Sequence, residues 1–199
     1  MDGQVTELAS AFPWSTITAG PVVDIGGGSG HISIALARQF PTLHSIVQDI
    51  SPVQISQSQS HLDPKVSSRI SFVQHDFFSP QPVYAPPPSA FLIRQVLHNY
   101  NDEDCIKILR NIVPAMERCA PGTPLLINDV VMPESGEVTK FEEHNQRQMD
   151  FCMLVVFGAK QRTVGEFSGL LKRADERLEV KRSVMRRLGM GLVEVILRS

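Results

Sequence analysis

Apolar and polar positions along the chain follow two rhythms. Short apolar runs closed by glycine or an acidic residue stand at Val22–Ile25, 44–49, Ile70–Gln74, Ala90–Arg94 and 125–128, and predict buried strands. Between them, apolar residues recur at helical spacing. Residues 32–40 carry Ile32, Ile34, Ala35, Leu36 and Phe40 and stop at Pro41. Ser51-Pro52, a cap followed by proline, opens a helix over 53–61. Asn101 caps a helix over 102–120, with acids in its first turn and Arg118 near its end, as the helix dipole favours; Pro114 predicts a kink or break. Residues 140–160 read as a helix with Met149, Met153 and Val156 or Phe157 on one face, and Thr163 starts another over VGEFSGLLKRA. The segments 178–185 and 192–198 alternate and lie close together, joined by RRLGMG, which predicts an antiparallel pair. The sum is an α/β protein: a doubly wound, Rossmann-like sheet of about seven strands with an antiparallel ending, all 199 residues forming one domain.

Composition narrows the function. At 42% hydrophobic and 20% charged the chain is ordinary globular protein. A formal charge of −2 supplies no basic field for nucleic acid, and the locally basic ERLEVKRSVMRR reads as a solvated strand and loop. Cys105, Cys119 and Cys152 have neither metal nor redox spacing and read as buried or half-buried free thiols in a reducing, cytoplasmic setting. The N-terminus shows no secretory signal, and no apolar run reaches the roughly 20 residues that span a bilayer. The segment SPQPVYAPPPSA holds five of the 14 prolines and reads as an irregular loop.

The chemistry concentrates at VVDIGGGSGH, a strand, a glycine turn and the start of a helix. The pattern is Asp24 followed by Gly26, Gly28 and Gly30. The dinucleotide fingerprint needs glycine where His31 stands, and no GK[ST] phosphate loop occurs. An acid at the mouth suits a cationic or amino-bearing ligand better than a polyanion. Asp49, nineteen residues past Gly30, ends the second strand, where a carboxylate accepts both ribose hydroxyls. Asp76 follows the third strand, where it can take a proton from an adenine amino group while Phe77 covers the ring. These three strand-end acids and the turn fit S-adenosylmethionine, which joins ribose and adenine to an amino acid and carries a positive sulfur.

The motifs VVDIGGGSGH, QDIS, HDFF, RQVLHNYNDEDCIKILRNI, LLINDVVMP and GAKQRTVGEF, in that order, resemble the plant and fungal small-molecule O-methyltransferases from about Phe12 to the C-terminus. The resemblance implies that Gly26, Asp49, Asp76 and Phe77 contact the cofactor. Arg94 stands where a lysine commonly reaches it. The resemblance also implies that His98 is the general base and that Asp129 orients it. The chemistry agrees: an imidazole titrating near pH 6.5 is suited to take a proton as a phenol attacks an activated methyl, and a carboxylate on the other ring nitrogen fixes its tautomer.

Three departures qualify the resemblance. Gln161 replaces the glutamate expected as a second partner of the base, and Asn99 replaces an aspartate; both remove negative charge beside His98 and weaken it as a base. Family members carry an N-terminal helical region that dimerises and closes the substrate pocket. This sequence begins close to the cofactor-binding part, so a homodimer or partner subunit is expected to supply that wall, with Met149, Asp150 and Met153 as substrate contacts. The resemblance implies that the acceptor is a phenolic or polyketide-type small molecule. Two alternatives remain: rearrangement or pericyclic chemistry on the same scaffold, and a truncated binding subunit of a partner enzyme.

Overall fold

The computed structural model describes residues 3–185 and 190–198. Five parallel strands form the body of the sheet: β1 (Val22–Ile25), β2 (Ser45–Asp49), β3 (Ile70–Gln74), β4 (Ala90–Arg94) and β5 (Leu125–Met132). A short β6 (Arg162–Thr163) pairs with the far end of β5, and an antiparallel pair, β7 (Leu178–Val184) and β8 (Met190–Leu197), completes the sheet in the order β3-β2-β1-β4-β5-β8-β7. This is the expected architecture with β6 added. Residues 186–189 of the expected β7–β8 connection lie outside the described residues.

Period-two alternation sorts each strand's side chains to opposite faces. Val23 and Ile25 of β1, Phe91 and Ile93 of β4 and Leu125 and Ile127 of β5 join one cluster, covered by helices α4 (Asp102–Met116) and α6 (Val164–Ala174). Val22, Leu92 and Leu126 face the other way, onto α1 (Gly3–Ala11) and α2 (His31–Gln39). Helix α3 (Pro52–Ser60) packs Ile55 with Val47, Ile70 and Phe72 at the β2–β3 end. Trp14 is fully buried and donates its indole N–H to Leu8 O at 3.0 Å, locking α1 to the body.

The caps are those the sequence predicts. Ser51 Oγ accepts from Gln54 N–H with Pro52 at the first helical position, Asn101 caps α4, and Thr163 and Glu166 form a reciprocal capping box on α6. Three details differ from expectation. Helix α4 runs through Pro114 to Met116, because a proline in the last turn removes a single bond at a place where the helix is ending. Strand β5 is four residues longer than expected, because β8 pairs with it as far as Val130 and β6 pairs with Val131 and Met132. Cys152 is exposed rather than buried, whereas Cys105 is buried and Cys119 half-buried. The basic stretch on β7 is anchored: Lys181 and Arg182 both pair with the buried Glu194 of β8, at 2.9 and 3.1 Å.

Candidate active site

The strand order reverses between β1 and β4, so the segments leaving their C-terminal ends diverge and open a crevice. The glycine turn leaves β1 and the His98 segment leaves β4.

At the turn, Gly26, Gly28 and Gly30 have φ of +70°, +58° and +71°, values that side chains with a Cβ disfavour. A Cβ on Gly26 would stand 3.0 Å from Val96 Cγ2 and 3.3 Å from Phe77 Cε1, so bare backbone is required against the aromatic ring. Phe77 packs edge-on with Tyr100 at 5.8 Å and touches Phe78 at 5.2 Å. A groove of about 630 Å³ between the starts of α2 and α3 adjoins the turn, with Ser29, Ser51 and Gln54 among its lining residues.

The acids have different fates. Asp24, expected at the mouth, lies behind it: it is 2% exposed and accepts from Ser33 Oγ of α2 at 2.7 Å. Its location inside β1, under Gly27, puts it in the protein rather than against a ligand. Burial pushes its carboxyl up to about 6, with the Ser33 hydrogen bond and the Arg94 charge acting in the opposite direction. Asp49 ends β2, half-buried, and its Oδ1 accepts from Ser51 N–H at 2.8 Å. Asp76 is exposed two residues beyond β3, with Oδ1 accepting from Phe78 N–H at 2.9 Å. Each carboxylate is thus held by a backbone bond. Ile50, which follows Asp49, is a large exposed apolar residue that sequence reasoning passed over. Arg94 ends β4, half-buried, and donates to Gln95 Oε1 at 2.7 Å.

Beyond β4 the chain turns sharply. Gln95 adopts φ +52°, an uncommon conformation for a residue with a side chain, while its N–H stays on Asn128 O of β5 at 3.0 Å. A single 3-10 turn, Leu97–Asn99, then brings His98 onto β5. His98 Nδ1 is hydrogen-bonded to Oδ1 of Asp129, and the His98 backbone N–H reaches Oδ2 at 3.2 Å. Asp129 is fully buried, and its Oδ1 also accepts from Val130 N–H at 2.9 Å. A carboxylate so placed holds the ring as the Nδ1–H tautomer, with the lone pair on Nε2. Asn99 Nδ2 donates back to Gln95 O at 3.1 Å, within the turn.

The expected second partner of His98 does not reach it. Gln161 is 6% exposed, its N–H donates to Asp150 Oδ1 at 2.7 Å, and its Oε1 is buried without a hydrogen-bond partner. Asp150, expected against substrate, therefore spends one oxygen closing the connection between α5 (Lys140–Phe157) and β6. Met149 is exposed and Met153 partly so; Phe151, Leu154, Val155, Val156 and Phe157 on the same helix are exposed as well, a large apolar surface. Among the described residues, no group of three or more metal-ligating side chains is clustered, and no helix is long and apolar enough to cross a membrane.

The glycine turn and the acid-supported histidine stand on either side of the switch point of a Rossmann-like α/β sheet. Comparison with known proteins names the group. The O-methyltransferase domain family matches residues 5–175, and the chain belongs to that family. It is 53% identical over 195 residues to the O-methyltransferase sol2 of Alternaria solani, covering 98% of this chain and 45% of that protein. The chain spans about half the length of the curated relatives it matches. Among solved structures, it is similar to the mitomycin 7-O-methyltransferase MmcR, with a TM-score of 0.81 and 27% identity over 98% of this chain and 53% of that one. It is similar also to a protein described as a pericyclic reaction enzyme, with a TM-score of 0.79 and 27% identity over 95% of this chain and 48% of that one.

Proposed function

We propose that this chain is the cofactor- and base-bearing part of an S-adenosylmethionine-dependent O-methyltransferase acting on a phenolic or polyketide-type hydroxyl. The observation that carries the reading is the His98–Asp129 pair standing across the switch point from the glycine turn. Bound there, the cofactor supplies a methyl group activated by positive sulfur.

The residues present fit that group. Asp49 would accept the ribose hydroxyls, Asp76 would take a hydrogen bond from the adenine amino group, and Phe77 and the exposed Ile50 would offer apolar surface to the base. Two carboxylates and a turn without a phosphate-binding lysine favour a ligand with little negative charge. His98 Nε2 accepts the hydroxyl proton of the acceptor as its oxygen becomes the nucleophile. The imidazolium formed is stabilised by Asp129, whose burial strengthens the interaction. Arg94 ends β4, and its charge acts on the Asp24 carboxyl. The apolar surface of α5 supports a covering helical segment, from a second subunit or from the remaining length that the relatives possess, with Met149 and Met153 under it. The same surface argues for a water-poor acceptor site.

The test is transfer of labelled methyl from S-adenosylmethionine to a panel of phenols. Transfer is expected to fall by about 10²–10⁴-fold in His98→Ala and to be unchanged in Cys119→Ser. Asp49→Ala should weaken binding of S-adenosylhomocysteine in a calorimetric titration. Retained transfer in His98→Ala overturns the base assignment. A second reading, rearrangement of the substrate without methyl loss, is favoured by the pericyclic neighbour and by the uncharged Gln161; it predicts altered product with the label still on the cofactor.

A further inference from the structure

Arg162 was not singled out by its sequence context, yet it is the most deeply buried cation among the described residues, 1% exposed. It sits on β6, opposite Val131 and therefore two residues along β5 from Asp129. Each of its five N–H groups has an acceptor. Nε and Nη2 donate to Asp102 Oδ1 at 3.1 and 2.7 Å, Nη1 donates to Leu97 O at 3.0 Å and Lys160 O at 3.3 Å, and Nη2 donates also to Tyr100 O at 3.0 Å.

Two of those acceptors bracket the histidine: Leu97 precedes it and Tyr100 lies two residues after it. The guanidinium fork therefore grips both ends of the turn that carries His98, while Asp129 grips the ring and the His98 N–H from β5. Burying a guanidinium is costly unless every donor is satisfied, and an apolar side chain would staple β6 to the body at less cost. What an apolar side chain does not do is fix two carbonyls at a set separation. Lysine does not do it either, because its ammonium is a single point on a flexible stem.

We propose that Arg162 is a positioning residue for His98, clamping the turn 97–100 to β6 so that the imidazole stays in register with Asp129. The proposal rests on the reading of His98 as the base. The clamp acts through backbone, so its loss frees the turn without removing any group that touches substrate. Asp102, the first residue of α4 and partly exposed, completes the clamp from the outer side and ties it to the helix that follows the turn.

The test reads the imidazole directly. The histidine-labelled chain is examined by nitrogen-15 NMR at alkaline pH, with the His98 signals assigned by their absence in His98→Gln. The wild type is expected to show one tautomer, protonated at Nδ1. Arg162→Met and Arg162→Lys are expected to show shifts averaged between both tautomers. In both variants the circular dichroism spectrum and the affinity for S-adenosylhomocysteine should stay at wild-type values. Methyl transfer should fall in kcat by about tenfold to a hundredfold, with KM for the cofactor unchanged, as misplacement of a catalytic group does. Asp102→Ala, which removes the acceptor of two of the five donors at a partly exposed site, should show partial averaging and serves if Arg162→Met does not fold. A folded Arg162→Lys or Asp102→Ala with the wild-type tautomer, or a wild type already averaged, overturns the clamp. Absence of methyl transfer in the wild type, together with averaging in the variants, overturns the proposed activity and leaves the clamp standing.

Discussion

Replacing Asp129 by asparagine isolates what its charge contributes. Three donors converge on this carboxylate: His98 Nδ1–H and Val130 N–H at Oδ1, and His98 N–H at Oδ2. An asparagine has one acceptor oxygen, and it satisfies two donors rather than one by taking the Oδ1 position. Its amide NH₂ then opposes the His98 backbone N–H. The imidazole keeps its tautomer but loses the charge behind it. The donor–donor contact costs about 1–3 kcal/mol of stability. Exchanging a charge-assisted bond for a neutral one costs about 1–1.5 kcal/mol where imidazolium forms, or about tenfold in kcat. Asp129→Ala strands all three donors and is expected to be the more severe change in both stability and rate. The assay pairs urea unfolding with labelled methyl transfer for wild type, Asp129→Asn and Asp129→Ala. A folded Asp129→Asn with the wild-type rate refutes the charge argument, and one as inactive as Asp129→Ala refutes the orientation argument.

The buried Asp24 makes stability depend on pH with a definite sign. Its carboxyl is raised from 3.8 to about 6, so between those values the folded protein binds more protons than the unfolded chain, and this group's effect lowers stability as pH rises across the window, by about 3 kcal/mol. Asp24→Asn should lack that slope, and urea unfolding of both proteins at pH 4 and pH 7 checks it; curves that stay parallel count against a buried titrating acid. Gly27→Ala would place a Cβ 2.6 Å from Asp24 Cγ and 2.9 Å from Val47 Cγ1; a loss of about 1–3 kcal/mol is expected, with weaker S-adenosylhomocysteine binding, and a neutral substitution would mean the turn yields. Thr163→Ala dismantles the α6 capping box and should cost about 1 kcal/mol in a thermal melt.

The elements were legible where period and punctuation coincide. Ser51-Pro52 and Asn101 announce α3 and α4, and the glycine turn announces the switch from β1 to α2. Helix α1 was equally legible but unread: Val5, Leu8, Ala9 and Phe12 follow helical spacing, and all four are buried. Strand β6 was not legible, because two residues bear no period and their pairing depends on how far β5 extends. At the site, the family resemblance pointed to His98 and Asp129, and their places after β4 and on β5 agree with the hydrogen bond the two side chains make. Gln161 makes a backbone bond to Asp150 and leaves its Oε1 buried without a hydrogen-bond partner, while the neighbouring Arg162 bonds to both ends of the His98 turn, a partnership that no spacing in the sequence announces. The α5 stripe was ambiguous for a physical reason: spacing marks an apolar face but not what covers it.

Four aspartates around the crevice fill three roles, and burial with local partners decides each. Asp24 faces inward under Gly27, takes a hydroxyl from Ser33, and holds α2 to β1 while its own charge is disfavoured. Asp49 ends its strand and Asp76 stands two residues past its own, each pinned by one backbone N–H two residues on, which leaves the rest of the carboxylate available to an outside donor. Asp129 lies one residue beyond the point where β4 stops pairing with β5, so the space β4 vacates at Gln95 is filled by the His98 turn, and a buried carboxylate meets an imidazole there instead of a neighbouring strand. The divergence of β4 from β5 thus creates the crevice and supplies its histidine in the same step. Shifting that divergence by one residue would turn the alternating side chains to opposite faces, carrying Asp129 away from His98 even if both residues were kept.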